Sequence, residues 1–230
     1  MLIRSQDASM YKRPLLFISY TLFIIVAACF CTSAYFYHYV IPQSEEESLS
    51  FIAPEKIAAS PLKDDNVIVE IFSYGCHYCE MNEANISGLG KVLPAGARLI
   101  QLHINNEEQA GLAAFAPLFA TLTVMGIEAQ HRTAAYQAII EENDNLADKN
   151  HLNRWLKANG IDQAEYDKAH DSEQVKALLA YLTSVSRYYR VNATPSFIVN
   201  RKWLAVQDRE FPAFNKQLLS LLLHDKPLEP

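Results

Sequence analysis

Three patterns of apolar and polar positions divide the chain. The first is one uninterrupted apolar block at 15–41, without Asp, Glu, Lys or Arg; as a helix it extends roughly 40 Å, enough to cross a bilayer with tilt. The second is a set of short β-branched and aromatic runs. Residues 67–74 read as a buried strand, 97–104 as another, 195–200 as a third that starts at Pro195, and 203–206 as a paired edge strand. The third pattern is helical spacing from 107 to about 190, with stops at Gly126 and Gly160 and a capping-box signal at Asp162-x-x-Glu165. Val175, Leu178, Leu179, Leu182, Val185 and Tyr189 make a core-facing stripe in the last of these helices. Phe214, Leu218, Leu221 and Leu222, after Pro212, predict a closing helix.

Charge orients the apolar block. Arg4, Lys12 and Arg13 precede it and Glu45, Glu46 and Glu47 follow, so the N-terminus is expected in the cytoplasm and the rest outside. Tyr35, Tyr37 and Tyr39 suit the outer interface. The block reads as an uncleaved anchor, because its apolar run continues well past Cys29. A cleaved signal and a lipoprotein signal at Val26-Ala27-Ala28-Cys29 are the other readings. Cys29 and Cys31 read as small apolar residues of a membrane helix. Residues 42–65 are polar, acidic and proline-punctuated, as suits a tether, with Phe51-Ile52 or Ile57-Ala58 as a short edge strand.

The net charge of −6 over 230 residues excludes a nucleic-acid partner, and 50% hydrophobic residues support one sizeable domain beside the block. The chemistry concentrates where the 67–74 strand stops at Gly75, just before Cys76-His77-Tyr78-Cys79. If a helix starts there, its unpaired N–H groups and positive dipole end stabilise a thiolate at Cys76, with Cys79 one turn in. The competing reading is half of a zinc site that includes His77. A second pair at ligand spacing is missing, however, since Cys29 and Cys31 lie in the apolar block. Thr194-Pro195 before a strand is a weak signal alone and a much stronger one downstream of a C-x-x-C.

Taken together, residues 67–223 resemble the DsbA family of thiol-disulfide oxidoreductases, an α/β thioredoxin fold carrying a helical insertion. The landmarks are Glu70 in the strand before the motif, Phe72-Ser73-Tyr74 leading into it, and His103-Ile104-Asn105 ending the next strand. Gly160-Ile161 and Glu165-Tyr166-Asp167 late in the insertion, and Thr194-Pro195 before Phe197-Ile198-Val199-Asn200, complete the set. Two positions depart from the family pattern. His77-Tyr78 stands where the best-known oxidants carry Pro-His, and Arg201 replaces a common turn glycine.

Hydropathy, charge and composition give a cytoplasmic 1–14, a transmembrane 15–41 and a linker 42–65, and the resemblance implies a thioredoxin-like 66–106 plus 187–224 with an insertion at 107–186. It implies a Cys76–Cys79 disulfide exchanged with cysteines of exported polypeptides, with Cys76 as the exposed attacked sulfur and Cys79 buried behind Tyr78 and the strand. No cofactor is needed. A DsbB-like membrane oxidase, or a reductase, would reset the pair, and the location implied is the periplasmic face of a bacterial inner membrane. It also implies a cis Thr194-Pro195 bond lying against the sulfurs, with Thr194 backbone groups free to pair with a substrate strand. Supporting roles fall to His77, Tyr78 and Glu70. Glu70 reads either as a solvent-facing residue of an edge strand or as a buried acid that shuttles the Cys79 proton, and the resemblance favours the second. His103 reads as a satisfied strand-end histidine, and Phe72 and Tyr74 as core or rim. A reductase or isomerase of the same fold, and a module holding a soft ion such as Cu(I) on Cys76, His77 and Cys79, are the alternatives.

Overall fold

The computed structural model describes residues 12–35 and 48–228. Helix α1, Lys12–Tyr35, belongs to one compact unit and residues 48–228 to another. Within α1 the segment Phe17–Tyr35 has a mean hydropathy of 2.0. Phe17, Phe23 and Phe30 are exposed rather than packed into a core, and a helix apolar all round needs an apolar surrounding. The expected block at 15–41 is helical to Tyr35, whereas Tyr37, Tyr39, Arg4 and Glu45 to Glu47 lie outside the described residues.

The second unit is built on five strands: β1 (Leu49–Phe51), β2 (Val67–Phe72), β3 (Arg98–His103), β4 (Ser196–Val199) and β5 (Trp203–Val206), in the spatial order β1-β5-β4-β2-β3. Every residue of β2 is buried, as a run of Val and Ile demands when both faces of a strand are covered. β2 pairs in parallel with β3, and the connection between them is helix α3, His77–Val92; helix α2 is the short Pro54–Ile57. On its other side β2 pairs antiparallel with β4, which pairs antiparallel with β5.

Alternation along β2 feeds two cores. Val67, Val69 and Ile71 pack with Leu118, Leu122 and Leu182 of the insertion. Ile68 packs with Ile86 and Leu89 of α3 and with Phe214, Leu218 and Leu221 of the closing helix α9, Phe211–His224. Each such side chain contributes roughly 1.5–3 kcal/mol by leaving water. The insertion is α4 (Ala116–Val124), α5 (Glu128–Tyr136), α6 (Lys149–Ala158), α7 (Gln163–His170) and α8 (Glu173–Tyr188). Gly126 and Gly160 take the left-handed φ of +74° and +69° that ends α4 and α6. Asp162 caps α7 by accepting from Glu165 N–H at 2.9 Å.

Two expectations need correction. Residues 48–65 are not a free tether: β1 pairs with β5, Ile52 N–H donates to the Lys202 carbonyl at 2.7 Å, and buried Ser60 shares a 2.6 Å hydrogen bond with the Tyr189 hydroxyl. β5 is therefore not the edge, because β1 covers it. Phe51-Ile52 is the site of the short strand and Ile57 ends α2. Arg201, at φ +62°, forks onto Asp65 Oδ1 at 2.9 and 2.6 Å and fastens the end of the same segment.

Glu70 sits in the middle of β2, flanked by β3 and β4, so the solvent-facing edge reading fails. Gln101 Nε2 donates to Glu70 Oε2 at 2.8 Å. Burial pushes the carboxyl from about 4.5 up to about 8; the Gln101 bond opposes this, Glu83 adds to it and Arg132 opposes it. Between those two values the folded chain holds a proton that the unfolded chain has lost. Stability is therefore full below the unfolded value near 4.5 and falls as pH rises toward about 8. Glu70→Gln should stabilise the protein at pH 8 by roughly 3 kcal/mol or more and leave it nearly unchanged below pH 4. Urea unfolding at the two pH values measures this; an equal difference at both contradicts it.

Candidate functional site

The turn after β2 is fixed by bonds that reach across the chain. Ser73 Oγ donates to the Leu112 carbonyl at 2.6 Å and accepts from Gly75 N–H at 3.0 Å, and Cys76 N–H donates to the Ser73 carbonyl at 3.0 Å. The Phe115 ring packs closely over Gly75, where an added Cβ would lie 3.3 Å from it. His103 braces the same turn. Its Nε2 accepts from Tyr74 N–H at 3.1 Å while Nδ1–H donates to the Ile104 carbonyl at 2.7 Å, so the partners require the neutral ring with hydrogen on Nδ1. Burial lowers its pKa from 6.5 to about 4, against a smaller opposite effect of the Ile104 bond.

Cys76 is the N-cap of α3. Its Sγ accepts from Cys79 N–H at 3.1 Å, which places the sulfur among the unpaired donors and the positive dipole end of a helix, the setting that stabilises a thiolate. Cys76 and Cys79 form a disulfide with Cα atoms 5.3 Å apart. Among the described residues no group of three or more His, Cys, Asp or Glu converges as a metal site.

The peptide bond Thr194-Pro195 is cis, and the Thr194 carbonyl oxygen lies 3.4 Å from Cys76 Sγ. This changes the expected exposure of the motif. Cys79 is fully buried and Cys76 is only 5% exposed, because Thr194 covers the sulfur from a loop distant in sequence. The expected screen over Cys79 holds only in part. Tyr78 is 69% exposed and gives no cover, whereas the strand side encloses Cys79 as expected, in the core that holds Ile71, Phe72 and Tyr74. His77 is exposed, and its Nδ1 lies 3.2 Å from Glu80 Oε2, so its hydrogen bond runs along the helix surface.

Beside the sulfurs, Tyr78, Met81, Asn82, Thr194, Pro195 and Gln207 line a cavity of about 560 Å³. Asn82 Nδ2 bridges the Tyr78 carbonyl at 2.9 Å and Gln207 Oε1 at 2.8 Å, tying α3 to the segment after β5. Tyr78 and Met81 expose apolar surface along one wall.

Thus Cys76, Cys79, Thr194 and Pro195 come together, Tyr78 stands at the rim, His77 faces outward, and Glu70 lies within the sheet behind. Two contributions of the insertion were not foreseen. Leu112 and Phe115 hold Ser73 and Gly75, and Glu128 with Arg132 reaches Tyr74 and Glu83. The only sequence signal of the second was a Glu-x-x-x-Arg spacing, which ordinarily marks a helix surface pair.

Comparison with known proteins gives a consistent result. A family model described as a DSBA-like thioredoxin domain matches residues 81–219, more than half of the chain and starting just after Cys79. The chain is similar to the thiol:disulfide interchange protein DsbA of Pseudomonas syringae pv. tomato, with 29% identity over 136 residues, which are 59% of this chain and 63% of that protein. It is also similar to DsbA of Pseudomonas aeruginosa, with 27% identity over 142 residues, 59% of this chain and 64% of that one. The match therefore spans less than two thirds of either relative's length. Among solved structures, P. aeruginosa DsbA has a TM-score of 0.58 at 24% identity, covering 69% of this chain and 80% of that one. NmDsbA1 of Neisseria meningitidis has a TM-score of 0.62 at 17% identity, covering 77% and 91%. The α/β sheet, the helical insertion and the matched span lead to one assignment: the chain belongs to the DSBA-like thioredoxin domain family.

Proposed function

We propose that this protein is a thiol-disulfide oxidoreductase that acts as a dithiol oxidase on exported, cysteine-containing polypeptides. The observation that carries the reading is a Cys76–Cys79 disulfide whose first sulfur caps a helix and borders the Thr194 backbone. Its relatives bear the name thiol:disulfide interchange protein.

The reaction follows from the asymmetry of the pair. A substrate thiolate attacks Cys76 Sγ, a substrate–Cys76 disulfide forms, and the Cys76–Cys79 bond breaks with its electron pair passing to Cys79. The Cys79 sulfur takes a proton, for which Glu70, protonated at neutral pH, is the assigned donor. A second substrate thiolate then attacks the substrate sulfur of the mixed disulfide and releases Cys76 as a thiolate on the helix N-terminus. The substrate loses two electrons, which the enzyme gains, and its two thiol protons pass to solvent as they ionise; Cys76 is left as a thiolate, and Glu70 recovers its proton from solvent. The helix end favours that thiolate, which favours the reduced enzyme and drives substrate oxidation. The cavity beside Pro195 offers room for an extended substrate segment, with Thr194 backbone groups as pairing partners. Reoxidation falls to a membrane redox partner.

We assign α1 as a membrane anchor with the thioredoxin-like unit on the oxidising side. Its composition and the basic-before, acidic-after flanks support this.

Cys76→Ser should abolish exchange with a dithiol peptide, whereas Cys79→Ser should accumulate mixed disulfides through Cys76, seen on non-reducing gels. Complexes trapped in the Cys76→Ser variant would reverse the roles. For the location, protease added to intact spheroplasts should digest the thioredoxin-like unit while a short N-terminal fragment stays with the membrane. A mature N-terminus at Cys29, or a fully protected chain, would overturn the anchor assignment.

A further inference from the structure

The insertion places one charged cluster beneath the strand, turn and helix that carry the cysteines. Arg132 of α5 donates from Nε to Glu128 Oε1 at 2.9 Å, from Nη2 to Glu128 Oε2 at 2.6 Å and from Nη1 to Glu83 Oε1 on α3 at 3.2 Å. Its guanidinium carbon sits 5.1 Å from the centroid of Phe72, the last residue of β2. The Tyr74 hydroxyl, from the turn itself, donates to Glu128 Oε1 at 2.7 Å. Strand, turn and helix therefore each have a contact with the same Glu128–Arg132 pair. Such an i,i+4 pair on a surface contributes little, but here the two side chains are only 11% and 10% exposed. Ions that have given up water to this extent persist only when held by several partners.

We propose that Arg132 is a positioning residue of the redox site, clamping the strand, turn and helix of the C-x-x-C unit to the insertion and holding a positive charge against the end of the strand that carries Glu70. This deepens the redox reading above and rests on it. The groups acting on Glu70 come from three elements: Gln101 from β3, Glu83 from α3, and Arg132 and Tyr136 from α5. Tyr74 joins Glu128 to the neutral His103 on the turn side of the cluster. Arg132 is the one cation of this set. It favours the Glu70 carboxylate, whereas Glu83 favours the acid, and burial strengthens both influences relative to a surface pair.

A purely mechanical clamp and an electrostatic one differ in sign. Loss of either partner would loosen a mechanical clamp in the same way, but Arg132 and Glu83 act on the Glu70 proton in opposite directions. The test is the pH profile of disulfide exchange between the full-length oxidised protein and a dithiol peptide, for wild type, Arg132→Gln, Arg132→Lys, Glu83→Gln and Glu70→Gln. The Glu70 inflection, identified by its loss in Glu70→Gln, should move up by roughly 0.5–1 pH unit in Arg132→Gln and down by a similar amount in Glu83→Gln. Arg132→Lys, which keeps the charge, should stay near wild type. Glu83 is 31% exposed at its side chain, so its variant keeps the test available should Arg132→Gln fail to fold. An inflection that survives Glu70→Gln, or variants that move it in the same direction or not at all while wild type exchanges normally, overturns the proposal. A wild-type protein that exchanges no thiols overturns the redox reading itself.

Discussion

The structure depends on the complete burial of β2. A strand covered on both faces and paired on both edges cannot shift register without moving Val67, Val69 and Ile71 out of one core and Ile68 out of the other. Its C-terminal end is therefore a fixed point. Ser73 and Gly75 turn the chain there against Leu112 and Phe115, and α3 starts with Cys76 at its cap. Sulfur chemistry at a helix N-terminus requires this rigidity, because the donors that stabilise a thiolate act over only the first turn. The same burial explains the cost at Glu70, a carboxylic acid retained in the middle of the strand with a proton held to about pH 8.

Around that fixed point, the two halves of the sheet and the insertion divide the work. β3 supplies His103, whose neutral ring accepts from the turn, and Gln101, which donates to Glu70. The loop before β4 supplies the carbonyl of Thr194 over Cys76, and the insertion supplies the only cation that reaches the layer behind the motif among the groups that act on Glu70. Cys76 is consequently a nearly covered sulfur at the edge of a cavity rather than a freely projecting one.

Much of this was legible from the residues. The β-branched run of β2, the C-x-x-C directly after it and the Thr-Pro before another strand give the fold and bring the sulfurs and Pro195 into one site. Other features left little pattern. Phe51-Ile52 hinted at β1, but its pairing with β5 and the docking of the residues that follow are not advertised by a polar, proline-punctuated stretch, so 42–65 read as a tether. Glu128 and Arg132 have the spacing of an ordinary surface pair, and only tertiary packing buries them. Thr194-Pro195 was expected against the sulfurs, but the degree to which the Thr194 carbonyl leaves Cys76 covered was not, nor was the position of Tyr78 free at the rim. Local spacing reported what is adjacent in the chain and was silent on what arrives from elsewhere.

The central claim is that the helix-capped pair is an oxidant, and the equilibrium of the Cys76–Cys79 couple with glutathione redox buffers tests it most directly. Known exchange proteins range from about −270 mV at the reducing end to about −120 mV at the oxidising end. A potential less negative than about −200 mV is predicted, since a thiolate stabilised by the α3 N-terminus makes the reduced form favourable. A value near −270 mV would place the protein among reductants and contradict the account.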